Sequence, residues 1–258
     1  MVYRDLTAAL PPDQPVYSLG LPPLPAGAAF PTIAQLATDF VKAVRGVQAE
    51  GPYYLCGHSL GGVVAYEMAA LLESAGAEVR FVALIDTLHP AFRRQMTRAD
   101  RLRFRLTYVT DRIAKYARKL GRGQLGQVLR DSIAAVRGHT THLYWRLAHA
   151  VFGRLGHAPP GVMSSNSLVL TAAWHRYEPT DHDLPFVMFN AVERPAEFRR
   201  DRTLGWRANV SGTMDVYLVP GDHYTMLRPP HVHTLAECMA PYLPACPRSM
   251  RGTESTAA

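Results

Sequence analysis

Two kinds of apolar pattern alternate along the chain. Short runs in which nearly every position is apolar predict strands buried on both faces of a sheet, and apolar residues recurring every three or four positions predict helices packed against it. Val79–Asp86 is a run of the first kind, Tyr53–Cys56 is a shorter apolar run, and Pro185–Asn190 and Met214–Val219 read as later strands. Pro15–Leu21 reads as a further short strand, followed by a Pro22-Pro23-Leu24-Pro25 loop. Thr32 stands where it can cap a helix with apolar positions Ile33, Leu36, Phe40, Val41, Val44 and Val47. Val63, Tyr66, Ala70 and Leu71 mark a second helix that ends at Ala75-Gly76, and others are expected near Ser167–Tyr177 and His231–Leu243. Strand and helix in alternation predict an α/β fold with a mostly parallel central sheet flanked by helices.

The rhythm changes between His89 and Gly161. Leu102, Leu106, Val109, Ile113, Tyr116 and Leu120 repeat at helical spacing, and two further sets follow: Leu125, Leu129, Ile133 and Val136, then Leu143, Leu147, Val151 and Leu155. Three helices with no strand between them predict an insertion, over about 90–162, in one domain spanning 1–246. The polar, small-residue tail 247–258 is expected to be disordered.

The junction of the first apolar run with its helix carries the chemistry. Gly57-His58-Ser59-Leu60-Gly61 lies between strand and helix, the G-x-S-x-G arrangement that presents a serine on a sharp turn. Gly57 and Gly61 are expected to be glycine because the strand and helix must approach closely there. Ser59 is the candidate nucleophile. The Leu60 amide, at the start of the helix, is the candidate donor to an oxyanion. His58, next to Ser59, is expected to point elsewhere off the turn and to support the site rather than react.

Composition narrows the classes. The chain has 258 residues, 48% of them apolar and 19% charged, which excludes a disordered protein. Cys56, Cys238 and Cys246 show no paired spacing, so a reducing, cytoplasmic setting without disulfides is expected, with Cys56 a buried structural thiol. No apolar run approaches membrane-spanning length. The net charge of +7 is uneven: residues 91–160 hold fifteen basic residues against three acids, a balance of +12 that leaves −5 for the remainder. No nucleic-acid-binding motif accompanies this segment, so neither nucleic acid nor membrane is an expected partner.

A serine hydroxyl needs a base, and the base needs an acid to orient it. His223 follows the last strand behind Gly221 and is the candidate base. The acid has several candidates: Asp86 at the end of an apolar strand, Glu193 after the Pro185–Asn190 strand, and Asp181, Asp183 and Asp215 behind them.

The run Gly51–Ala69 around Ser59, the Leu84-Ile85-Asp86-Thr87 segment and the Val219–Leu227 segment resemble the thioesterase domains of nonribosomal peptide and polyketide synthases. Asp13–Tyr17 and Val41–Val44 support the resemblance. It implies an α/β-hydrolase fold, Asp86 as the acid, and an insertion that forms a helical lid over the acyl site. It also implies an acyl or peptidyl thioester on a phosphopantetheinylated carrier protein as substrate, and no metal or redox cofactor. The arginines of the insertion would then attract an acidic carrier or form a solvated helix face. Members of the family also have an apolar strand and a glycine-containing loop, which supplies a second oxyanion donor, before the helix that Met1–Leu6 matches. The chain is therefore expected to lack that strand. A carboxylester hydrolase with the same three residues, and an acyl-binding module impaired by the missing strand, are the alternative readings.

Overall fold

Four parallel strands carry the site at their C-terminal ends. They are β1 (Tyr53–His58), β2 (Val79–Ile85), β3 (Phe186–Ala191) and β4 (Met214–Val219), arranged in that order. The register sets His58 against Ile85, Ile85 against Phe189 and Phe189 against Tyr217, so the loops that follow all four strands open on one edge of the sheet. Ligands of open α/β sheets bind at such an edge. The computed structural model describes residues 2–21, 31–92, 176–194 and 201–244. It also describes positions 97–99, 102–103, 106, 109–110, 113–114, 117, 121, 123, 125–126, 140, 143–144, 147–148, 150–152, 154, 173–174 and 198.

Helices cover both faces. On one side α2 (Ile33–Val47) and α3 (Leu60–Ser74) pack on Tyr53, Leu55, Val82, Leu84, Phe186 and Met188. On the other, α1 (Arg4–Ala9) and α4 (His231–Met239) pack on Phe81, Ala83, Ile85, Val187, Phe189 and Val219. Because both faces are covered, every residue of β3 is buried, including the polar Asn190 in its otherwise apolar run. The Thr32 cap forms as a full capping box: its hydroxyl accepts from the Gln35 amide at 3.1 Å, and its own amide donates to Gln35 Oε1 at 2.8 Å. The Thr32 and Gln35 pair therefore fixes where α2 begins.

Several expectations are corrected. Pro15–Leu21 forms no strand, and Val16, Tyr17 and Leu19 are exposed. A strand needs a ladder partner, and β1 ends the sheet, with no described residue paired to its outer edge. At that edge the His58 amide instead donates to the Tyr3 hydroxyl at 2.9 Å. Cys56 is exposed rather than buried, because it lies on the side of this terminal strand opposite Tyr53, Leu55 and Gly57, away from α2 and α3. The closing helix is α4 followed by a 3-10 turn, Ala240–Tyr242, rather than one helix to Leu243.

In the insertion, the described positions from 98 to 117 are helical. Leu102, Leu106, Val109 and Ile113 are exposed there, as are Leu125, Leu143, Leu147 and Val151 farther on, so at these positions the apolar repeat is not a buried face. Of the helix expected near Ser167–Tyr177, positions 173, 174 and 176 are helical, Tyr177 is not, and the rest lies outside the described residues, as does the tail 247–258. Among the described residues no helix is long and apolar enough to cross a membrane.

Candidate functional site

The turn after β1 is built for close approach. Ser59 has φ 55° and ψ −122°, a conformation that a non-glycine residue adopts only under constraint from its surroundings. Its amide donates to the Ile85 carbonyl at 2.8 Å, which ties the turn to the end of β2. A Cβ on Gly57 would lie 2.1 Å from the Gly61 carbonyl oxygen, so glycine is required where strand meets helix. Gly61 is less demanding, since a Cβ there would meet only the Tyr3 hydroxyl at 3.2 Å. Gly62, which the motif does not specify, is the second strict position: its Cβ would fall 2.0 Å from Thr87 Oγ1. Leu60 opens α3, so its amide is among the first-turn donors that have no acceptor within the helix.

Asp86 follows β2 with φ 48°, a second residue held at positive φ. This turn directs its carboxylate toward the loop after β4. There His223 Nδ1 lies 2.7 Å from Asp86 Oδ2. The loop is shaped by Gly221, at φ 91°, and by the Asp222 carboxylate, which accepts from the Tyr224 and Thr225 amides at 2.9 and 2.8 Å. Burial pushes the Asp86 pKa up. The His223 hydrogen bond, the Arg194 charge and the Ala191 amide oppose burial and bring it down to about 2. Asp86 is therefore an anion at neutral pH.

Among the described residues, none of the other candidate acids is bonded to His223. Glu193 is exposed, with its amide donating to the Gly221 carbonyl at 3.0 Å. Asp181 accepts from Asn209, Asp183 from Ser211 and Asp215 from Tyr242. His58 ties the serine turn to the base: its Nε2 is 2.8 Å from the His223 carbonyl, and the two rings lie 4.5 Å apart. The Ser59 hydroxyl itself makes no hydrogen bond among the described residues. Three further participants are assigned no role by the sequence reading. They are Arg194 on Asp86, Thr87 under Gly62, and Trp206, whose indole N–H donates to the Thr87 carbonyl at 2.9 Å.

A nucleophile-type turn beside an Asp–His pair on a parallel sheet occurs in many hydrolases, and comparison with known proteins narrows the field. Residues 1–118 match the family model of the thioesterase domain. The chain is 30% identical over 255 residues to a probable non-canonical nonribosomal peptide synthetase, CymA, of Salinispora arenicola (strain CNS-205). This is a thioesterase domain of the nonribosomal peptide synthetase type.

The match to CymA takes in 94% of this chain but 3% of that protein. A second relative, the chondramide synthase cmdD of Chondromyces crocatus, is 29% identical over 248 residues, 90% of this chain and 6% of its own length. The chain thus spans a small fraction of the relatives it matches. Among solved structures, the NocB thioesterase domain in covalent complex with a fluorophosphonate nocardicin G analog shares the fold. It is 23% identical, with a TM-score of 0.50, over 84% of this chain and 76% of that one. The thioesterase domain is a hydrolase by family, and its parallel sheet between helices fits the α/β-hydrolase fold expected from the sequence.

Proposed function

We propose that this thioesterase domain releases an acyl or peptidyl chain from the phosphopantetheine thiol of a carrier protein through an acyl-Ser59 intermediate, in the cytoplasmic assembly of a peptide or polyketide product. The observation that carries the reading is the 2.7 Å contact of His223 Nδ1 with the anionic Asp86, on the loop that His58 fastens to the Ser59 turn. Asp86 holds the imidazole with its Nδ1 proton inward, leaving Nε2 to take the Ser59 proton as Oγ attacks the thioester carbonyl. The Leu60 amide donates to the oxygen that gains charge. The tetrahedral adduct collapses by breaking the C–S bond, and His223 returns the proton to the departing thiol. Water, or an amine or hydroxyl of the chain itself, then attacks the acyl-Ser59 carbonyl, gives its proton to His223 and frees Ser59. Chain release from a carrier fits the synthetase relatives, and the covalent NocB complex supports an activated nucleophile in this fold.

Turnover of an acyl-phosphopantetheine thioester, compared with an aryl ester of the same acyl group, tests the substrate class. The thioester is expected to be preferred. Ser59→Ala, His223→Ala and Asp86→Asn should each lower turnover by about 10³–10⁶-fold, with far from additive effects. Preference for the aryl ester would instead mark a carboxylester hydrolase. Absence of turnover on both would mark an acyl-binding module, a reading supported by the outer edge of β1, to which no described strand is paired.

A further inference from the structure

The two oxygens of the Asp86 carboxylate have separate partners. Oδ2 faces His223, whereas Oδ1 accepts from the Ala191 amide at 2.7 Å and from Arg194 Nη2. Arg194 lies in the loop after β3, and its side chain is 9% exposed against 7% for Asp86, so the ion pair is shielded from water. The same Nη2 donates to Asn190 Oδ1 at 3.2 Å, and Asn190 is fixed in turn by donating through Nδ2 to the Arg202 carbonyl at 2.5 Å. The guanidinium is thus held in place from behind. A buried carboxylate with an imidazole as its only polar partner tends to take up a proton or rotate, and a fixed guanidinium opposes both.

We propose that Arg194 is a positioning residue: it pins Asp86 through Oδ1 so that Oδ2 stays aimed at His223, and its charge limits how strongly the Asp86–His223 pair binds a proton. This rests on the reading of Ser59, Asp86 and His223 given above. The charged and titratable groups around the pair are Arg194 from the β3 loop and His58 from the end of β1. Asp222 is occupied by the amides of its own loop, and Glu193 is exposed. Among the described residues, Arg194 is therefore the cation set against Asp86. Without it, proton binding to the coupled pair becomes more favourable, whichever member holds the proton, and the form with ionised Asp86 and neutral His223 is reached only at higher pH.

The test is the pH profile of the second-order rate of Ser59 labelling by a fluorophosphonate, in which Oγ attacks phosphorus, fluoride leaves and His223 takes the proton. Arg194→Met is expected to move the acid limb to higher pH by about half to one unit and to slow the plateau rate about 10-fold or more. Arg194→Lys, which keeps the charge, should leave the limb where it is in the unsubstituted protein. Glu193→Gln should match the unsubstituted protein throughout. An Arg194→Met profile that is scaled down with its limb unmoved overturns the proposal, since a purely structural role has that effect. If Arg194→Met does not fold, Arg194→Lys decides: a limb displaced as far as half a unit counts against charge as the operative property. Failure of Ser59 to label in the unsubstituted protein, or equal labelling of Ser59→Ala, removes the underlying reading and this proposal with it.

Discussion

His58 Nε2 donates to the main-chain carbonyl of His223 at 2.8 Å, linking the residue before the candidate nucleophile to the backbone of the candidate base. A carbonyl only accepts, so Nε2 carries the hydrogen, and the ring is neutral if Nδ1 is bare. Burial, reinforced by the neighbouring His223, brings the His58 pKa down to about 4, so the neutral ring prevails at physiological pH. The position beside the serine is thus a brace on the histidine loop.

Protonation of that brace opposes folding. Because the folded-state pKa lies below the ordinary 6.5, the folded form binds the His58 proton more weakly than the unfolded chain does. Its contribution is fully present above about pH 6.5 and is lost as the pH falls through about 4, up to about 3 kcal/mol in all. Urea denaturation of the unsubstituted protein and of His58→Gln should converge across that window. A stability difference that stays constant with pH would remove the titration argument.

Asp86 acts in a lower window. Its folded pKa of about 2 lies below the ordinary 3.8, so its contribution of roughly 2 kcal/mol is present above about pH 4 and lost as the pH falls through about 2. Asp86→Asn should flatten the acid limb of stability between those values. Unfolding curves with the same acid dependence in both proteins would show that the ion pair with Arg194 and the bond to His223 do not hold the carboxylate ionised.

The glycines separate by mechanism. Gly57→Ala and Gly62→Ala should each destabilise by about 2–4 kcal/mol, because their Cβ atoms would lie 2.1 Å from the Gly61 carbonyl and 2.0 Å from Thr87 Oγ1. Thr87→Ala should partly rescue Gly62→Ala, since it removes Oγ1 and Cγ2, and should do nothing for Gly57→Ala, whose clash is with backbone. Gly76→Ala, at φ 72° with open space around it, should cost about 1 kcal/mol. Thermal unfolding of the three glycine variants, and of the two combined with Thr87→Ala, checks the order.

Legibility in the sequence followed the range of the interactions. The Ser59 turn, the Thr32 cap and the buried run Val79–Ile85 are local features, written in consecutive residues, and the structure forms them as read. His223 stands in the loop after the last strand, Asp86 is one of several candidate acids until the family resemblance favours it, and their meeting follows from the register that aligns the strand ends. Nothing in the local pattern marks Arg194, whose partner Asp86 is 108 residues away in sequence and meets it from a turn at positive φ. The motif does not single out Gly62, because its constraint is Thr87, which is distant in sequence. Composition shows that Pro15–Leu21 suits a sheet but not whether a strand is there to pair with it, and that Cys56 suits a strand but not which face of that strand is covered.

The acyl-serine intermediate is the central claim, and acid quenching in the first turnovers tests it most directly. The protein is mixed with an acyl-phosphopantetheine thioester, quenched within the burst and mapped by peptide mass spectrometry. The account predicts the acyl mass on the peptide carrying Ser59, its absence in Ser59→Ala, and strongly slowed formation in His223→Ala. Thiol release with no acyl-enzyme, or an acyl group carried on any residue other than Ser59, would contradict it.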